Sequence, residues 1–310
     1  MNSRILVSGV SGPIGAALLP SLRAAGCSVV RLVRGSATGG VRDKAQAGAE
    51  NDGQIAWDPA QPISPEAVSG FDAVIHLAGE SIIGRWTAAK KQKIRESRVA
   101  GTRNLAQALA NAKVKPSVFI SSSAIGHYGD RGDEILKEES AAGTGFLPDV
   151  CREWEVATDA ATKAGIRTVQ IRTGIVLSTA GGALAKMLTP FKLGLGGVVG
   201  SGLQWMSWID VQDMVGAIQH IVKSDRLQGP VNLVAPTPVR NAEFTKTLAG
   251  ALSRPAIFPL PAFMVKLAFG EMGETVFLGS QRVEPGQLVA SGYAFRFREL
   301  RDSLKAMLGG

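Results

Sequence analysis

Hydrophobic positions along this chain follow two spacings that alternate. Residues 5–7 form a short apolar run, residues 14–25 repeat apolar positions at helical spacing, and residues 29–33 are apolar again. This pattern predicts strand, helix, strand. A polar stretch over 35–51, rich in Gly, Asp and Lys, reads as a loop with a short helical turn, and residues 54–57 predict a short strand. The run DAVIHL at 72–77 suits a strand covered on both faces of its sheet. A helix over 87–112, a strand over 117–121, a helix over 147–163 and a strand over 169–172 follow. The remainder predicts helices over 213–222 and 241–252, the latter with Asn241 as N-cap, and a strand over 231–234. A proline-rich piece at 257–261 and an amphipathic terminal helix near 297–307 end the chain. Such alternation implies an α/β protein with a doubly wound parallel sheet and right-handed crossovers.

The first strand enters its helix through Gly9, Ser11, Gly12, Pro13, Ile14 and Gly15. Three glycines placed between a predicted strand and a predicted helix point to a Rossmann dinucleotide site. One makes the tight turn, one lets backbone approach a pyrophosphate, and one allows the helix to pack closely on the sheet. The helix N-terminus adds free N–H groups and a positive dipole end. NAD-specific sites place an acidic residue at the end of the second strand, but here that place holds Arg34, and no Asp or Glu occurs before Asp43. A guanidinium there can grip a 2′-phosphate, which favours NADP(H); the alternative is a solvated surface arginine. Ligands of open α/β sheets sit at the carboxyl ends of strands, so Leu77, Ala78, Gly79 and Glu80 are expected to border the cofactor. The same argument applies to Ser121 and Ser122 at the end of the 117–121 strand.

Composition narrows the class. At 310 residues, 45% hydrophobic and 19% charged, the chain reads as soluble and globular. No stretch approaches eighteen uninterrupted apolar residues and no signal-peptide order opens the sequence, so a cytoplasmic protein without a membrane role is expected. Cys27 and Cys151 show no metal-type spacing and read as free thiols. The net charge of +8 is dispersed, with Lys90, Lys91, Lys93 and Arg95 the only tight cluster, which argues against nucleic acid as partner. Monomer and homodimer both remain open. Beyond Thr173 the texture changes: GLGGVVGSG at 194–202 precedes Gln204 to Trp208, which carries two of the five tryptophans. That segment reads equally as the cap of a substrate pocket or as a buried turn.

The glycine turn, HLAG (76–79), VAGTRNL (99–105), SSSA before Tyr128-Gly129, and WIDVQD (208–213) resemble the extended short-chain dehydrogenase/reductase superfamily. HLAGESI, RTGIVLS, GGALAKML, FKLGLGG, GSGLQWMSWI, NAEF and QRVEPGQL are similar to its epimerase-like branch. Some members of that branch are labelled cell-division-inhibitor homologues, and they carry a small C-terminal domain of unknown function. The resemblance implies an NADP-binding Rossmann domain over 1–235, with substrate-side insertions from about 174, and a smaller C-terminal α/β region over 236–310. It also places Arg98, Arg172 and Val176 beside the cofactor.

Members of the superfamily use a serine, a tyrosine and a lysine four residues after the tyrosine. Aligning Glu155 with the glutamate that follows their lysine puts Cys151 at the lysine and Leu147 at the tyrosine position. Neither Tyr128 nor Tyr293 has a lysine four residues on. Ser123 matches the catalytic serine, Tyr128 is the candidate substitute acid, and Cys151 is a thiol that faces the pocket or is simply packed. The implied activity is oxidoreductase or epimerase chemistry on a small hydroxylated or carbonyl substrate, of nucleotide-sugar type among others. The alternative is a noncatalytic NADP(H)-binding regulator or scaffold.

Overall fold

The computed structural model describes residues 3–35 and 53–309. Apart from Gly35, the stretch expected to be a loop with a helical turn lies outside the described residues. The first half runs β1 (Arg4–Ser8), α1 (Pro13–Ala24), β2 (Ser28–Arg34), β3 (Gln54–Trp57), β4 (Ala73–His76), α2 (Ala88–Asn111), β5 (Val118–Ala124), β6 (Ile135–Leu136), α3 (Phe146–Val156), α4 (Asp159–Lys163) and β7 (Arg167–Thr173). The second runs β8 (Ile175–Leu177), α5 (Gly182–Lys192), β9 (Trp205–Met206), β10 (Trp208–Asp210), α6 (Val211–Lys223), β11 (Gly229–Leu233), β12 (Val239–Arg240), α7 (Asn241–Ala251), α8 (Ala262–Phe269), β13 (Arg282–Val283), α9 (Gly286–Ala290) and α10 (Leu300–Leu308).

Seven parallel strands form one sheet in the order β11-β7-β5-β4-β1-β2-β3. The order reverses between β1 and β4, which opens a cleft at the carboxyl ends of those strands. Strand residues alternate faces. Ile5 and Val7 pack with Leu18 and Leu22 of α1 and Ile218 and Ile221 of α6, whereas Leu6 packs with Leu105 and Leu109 of α2. Each of these side chains is almost wholly buried, a transfer worth about 1.5–3 kcal/mol apiece. A third core joins α5, β10, α7 and α10 through Leu184, Trp208, Phe244 and Leu304. The C-terminal chain is tied back by Asp213 of α6, whose carboxylate accepts from the backbone N–H of Arg296 (2.7 Å) and Phe297 (2.8 Å). Among the described residues no helix is long and apolar enough to cross a membrane.

Two local expectations are corrected. The helix expected over 147–163 breaks between α3 and α4, where Thr158 Oγ1 donates to Glu155 O (2.6 Å) and accepts from Gln170 Nε2 (2.8 Å), competing with the helical ladder. Asn241 is the first residue of α7 and not its cap, because its Oδ1 accepts from Val199 N (2.8 Å).

Candidate cofactor and substrate site

The glycine turn opens with Gly9 at φ +72°, a left-handed backbone that favours glycine. A Cβ there would press on the Leu77 carbonyl and come within 2.7 Å of Ala78 N, so the β1 turn and the end of β4 touch backbone to backbone. A Cβ on Gly15 would fall 2.6 Å from Gly9 O. Gly12 differs: its Cβ would meet only Gly9 O, at 3.5 Å. The fold therefore needs Gly9 and Gly15, while the open side of Gly12 is the cradle that a pyrophosphate would fill. Pro13 occupies the first position of α1, no side chain caps the helix, and exposed Ser11 flanks it. The N–H groups of that first turn are thus available to an anion. Ile14, Leu77 and Val176 pack half-buried on the main core, and a Cβ on Gly182 would lie 3.8 Å from Pro13 Cγ and 3.9 Å from the Val176 carbonyl oxygen, which places β8 near the turn. Across the cleft, Gly181 before α5 approaches Pro13: its Cβ would lie 3.6 Å from Pro13 Cβ.

Arg34 ends β2 and is exposed. Beyond the exposed Gly79, Glu80 accepts from Lys90 Nζ (2.8 Å), and that hydrogen bond, with the charges of Lys90, Arg34 and Lys93, holds its carboxyl below the usual range. A positive rim thus surrounds the ends of β2 and β4. The guanidinium of Arg98 on α2 lies 3.4 to 3.6 Å from where a Gly79 Cβ would stand, over the Trp154 ring at 5.0 Å. Its Nη1 donates to Ile94 O (3.1 Å).

The end of β5 leads into a buried polar network. Ser121 and Ser123 are buried and Ser122 half-buried. Ser123 Oγ donates to Glu155 Oε1 (2.7 Å), which also accepts from Arg172 Nε (2.8 Å). Arg172 Nη2 donates to Glu155 Oε2 (2.9 Å), completing a bidentate pair. Burial works to raise the Glu155 pKa, yet the hydrogen bonds and charge of Arg172 and the Ser123 hydroxyl hold it below the usual carboxylate range. Expected at the cofactor, Arg172 is instead 4% exposed, with Nη1 on Tyr128 OH and Glu138 O, both at 3.0 Å. Tyr128 is wholly buried and donates to Asn232 Oδ1 (2.7 Å); burial raises its pKa. His127, beside Glu155 at 3.9 Å, is pushed down to about 4 by burial and then by Arg172, so its ring is neutral. Cys151 is buried, and burial followed by Glu155 pushes its thiol up to about 12. It is a thiol, not a thiolate.

Sequence reasoning missed Asn232 and Glu138, whose Oε1 accepts from Asn232 N (3.1 Å). A polar residue inside the apolar strand VNLV was the available signal for the first. The glycines of 194–202 are used for close packing: Gly197 meets the Phe258 carbonyl, Gly196 the Phe191 ring, and Gly202 lies against Val198 and Ala242.

A family model described as the NAD dependent epimerase/dehydratase family matches residues 5–233, and a domain of unknown function, DUF1731, matches 260–307. The chain belongs to the NAD-dependent epimerase/dehydratase family. Within it, "Epimerase family protein Mb2239" of Mycobacterium bovis is 41% identical over 98% of this chain and 97% of its own length. The crystal structure of human epimerase family protein SDR39U1 (isoform2) with NADPH is 32% identical, covers 99% of both chains and superposes with a TM-score of 0.86. A nucleoside-diphosphate sugar epimerase from Corynebacterium glutamicum is 34% identical with a TM-score of 0.79, over all of this chain and 59% of that one. This epimerase-family chain thus carries the glycine turn at the end of β1 and, on α3, Leu147 and Cys151 at helical spacing before Glu155.

Proposed function

We propose that the chain binds NADP(H) in the cleft between β1 and β4 and uses it in oxidoreductase or epimerase-like chemistry on a small hydroxylated or carbonyl substrate. The carrying observation is Arg34, an exposed guanidinium at the end of β2 with Lys90 and Lys93 nearby and Glu80 drawn away onto Lys90. A 2′-phosphate meets positive charge there, whereas the acidic ribose partner of NAD-specific sites is replaced. Gly12, Pro13 and the first turn of α1 would hold the pyrophosphate, Leu77 to Glu80 the adenosine end, and Ser121, Ser122 and Val176 would line the nicotinamide end. Arg98 would close the side at Gly79. When bound, the cofactor supplies a hydride donor or acceptor. Ser123 is the proposed orienting hydroxyl, fixed by Glu155. Tyr128 fits an acid role poorly, since its hydroxyl is enclosed by Asn232 and Arg172.

The human relative solved with NADPH supports this cofactor choice. A second reading, a noncatalytic NADP(H)-binding regulator, is favoured by one observation: neither Leu147 nor the protonated Cys151 can perform the proton handling of a tyrosine–lysine pair. The test is thermal unfolding with each cofactor. NADPH is expected to raise Tm more than NADH, and Arg34→Ala to abolish the difference. Equal shifts in the unmodified protein would defeat the NADP reading. NADPH consumption in a carbonyl-substrate screen that is lost in Ser123→Ala supports the enzyme over the regulator, and its absence supports the regulator.

A further inference from the structure

Two segments of the C-terminal half carry large apolar side chains that the fold leaves in solvent. Leu193 and Leu195 follow α5, Ile257 and Phe258 precede α8, and Phe263 and Leu267 lie one turn apart on a single face of α8. The two segments run side by side: Leu195 pairs with Ala256 in an antiparallel bridge, Phe258 N donates to Gly196 O (3.1 Å) and Leu260 N to Val198 O (2.8 Å). A Cβ on Gly200 would lie 3.9 Å from Ala262 Cβ, so the first residue of α8 joins the same surface. Helix α8 turns only Val265 inward. Ile257, Phe263 and Leu267 are 72%, 69% and 75% exposed, so these side chains protrude and do not line a groove. A contiguous apolar cluster on the outside of a protein marks an interaction site.

The charge around this cluster has one sign. Residues 181–204 and 253–270 contain no Asp or Glu, while Lys186, Lys192, Arg254 and Lys266 stand exposed within them. Lys192 and Arg254 flank the Leu195–Ala256 bridge, and among the described residues neither has a carboxylate partner. The acids that follow α8 are already engaged: Glu274 accepts from Lys266 Nζ (2.7 Å) and Glu271 from Lys91 Nζ (2.7 Å). A second copy of the chain seated on this face about a two-fold axis would bring the positive rim against its own like. An anionic partner meets the rim with opposite charge. Protruding phenylalanine, leucine and isoleucine beside lysine and arginine are the composition of a segment that lies in a bilayer interface, where fluid acyl chains receive side chains that have no matching groove.

We propose that this face docks on an anionic phospholipid surface, with α8 and the turns at 193–195 and 257–258 in the headgroup layer and Lys192 and Arg254 against lipid phosphates. This is surface association, which requires no spanning helix and stands apart from the cofactor reading. It revises the expectation of a protein without a membrane role. The test is co-sedimentation of the full chain with vesicles of phosphatidylcholine alone and with vesicles of phosphatidylcholine and phosphatidylglycerol in equal parts. The chain is expected to pellet with the mixed vesicles and to stay in solution with the neutral ones. Phe263→Ser/Leu267→Ser should weaken partition about tenfold or more with Tm unchanged, because these side chains leave water only on the membrane. Lys192→Gln/Arg254→Gln should remove most of the preference for the mixed vesicles. Failure to pellet with the mixed vesicles, equal pelleting with both kinds, or undiminished pelleting of Phe263→Ser/Leu267→Ser overturns the proposal. So does a dimer in sedimentation velocity that the same two substitutions dissolve, since the face would then be a contact between copies.

Discussion

At the scale of single residues, the most consequential is Arg172. Its guanidinium satisfies a carboxylate that is 15% exposed, and it also ties Tyr128 and the Glu138 carbonyl. Arg172→Met leaves Glu155 charged and enclosed, which should cost about 3–5 kcal/mol in urea unfolding, and a companion Arg172→Met/Glu155→Leu protein should recover much of that loss. A single variant as stable as the parent would show that the pair is not enclosed. The histidines give a pH signature. Burial pushes His76 down to about 4, and His127 is held at about 4 as well. Unfolded, each titrates near 6.5, so between 6.5 and 4 the unfolded chain binds about two more protons than the native one. Stability should therefore be full above pH 6.5 and fall as pH drops toward 4, measured as urea midpoints across that range; a flat profile contradicts the burial of both rings. The role of Arg172 was not legible from sequence. The family resemblance put it near the cofactor, and nothing in the spacing showed that Glu155, seventeen residues earlier on a helix, would claim it.

Among elements, the glycine turn divides its labour in a testable way. Gly12→Ala should fold with little change in Tm, because its Cβ meets only one atom at 3.5 Å, yet it should weaken NADPH binding. Gly9→Ala and Gly15→Ala should lower Tm, since each Cβ strikes backbone and Gly9 sits at positive φ. Equal losses of stability at all three positions would remove the case for a cradle at Gly12. This turn, the strands of the central sheet and the long helices were readable because apolar periodicity and glycine chemistry are local. The short strands β6, β8, β9, β10, β12 and β13 were not, being two or three residues long and set by tertiary pairing. Helix α5 hid behind its flanking glycines and internal Pro190. Helix α8, AFMVKLAF, buries only Val265 and so offers no amphipathic stripe to read.

At the scale of the whole molecule, the order of the parallel sheet reverses between β1 and β4, opening a cleft at their carboxyl ends, and a C-terminal segment shares its core with α5 and β10. Strand order, glycine turn and the ends of β2 and β4 all converge on that cleft, which is why a cofactor site was legible from sequence while its chemistry was not. The polar network beyond β5 was hidden because Glu155 on α3 and Arg172 on β7 meet only in the folded chain. The central claim is that Arg34 makes this an NADP(H) site. Calorimetric titration of the unmodified and Arg34→Ala proteins with NADPH and NADH tests it most directly. A charge-assisted hydrogen bond of about 1.5–3 kcal/mol predicts that NADPH binds roughly tenfold or more tighter than NADH, and that Arg34→Ala brings the two together by weakening NADPH alone. Equal affinities in the unmodified protein, or a preference that survives Arg34→Ala, would contradict it.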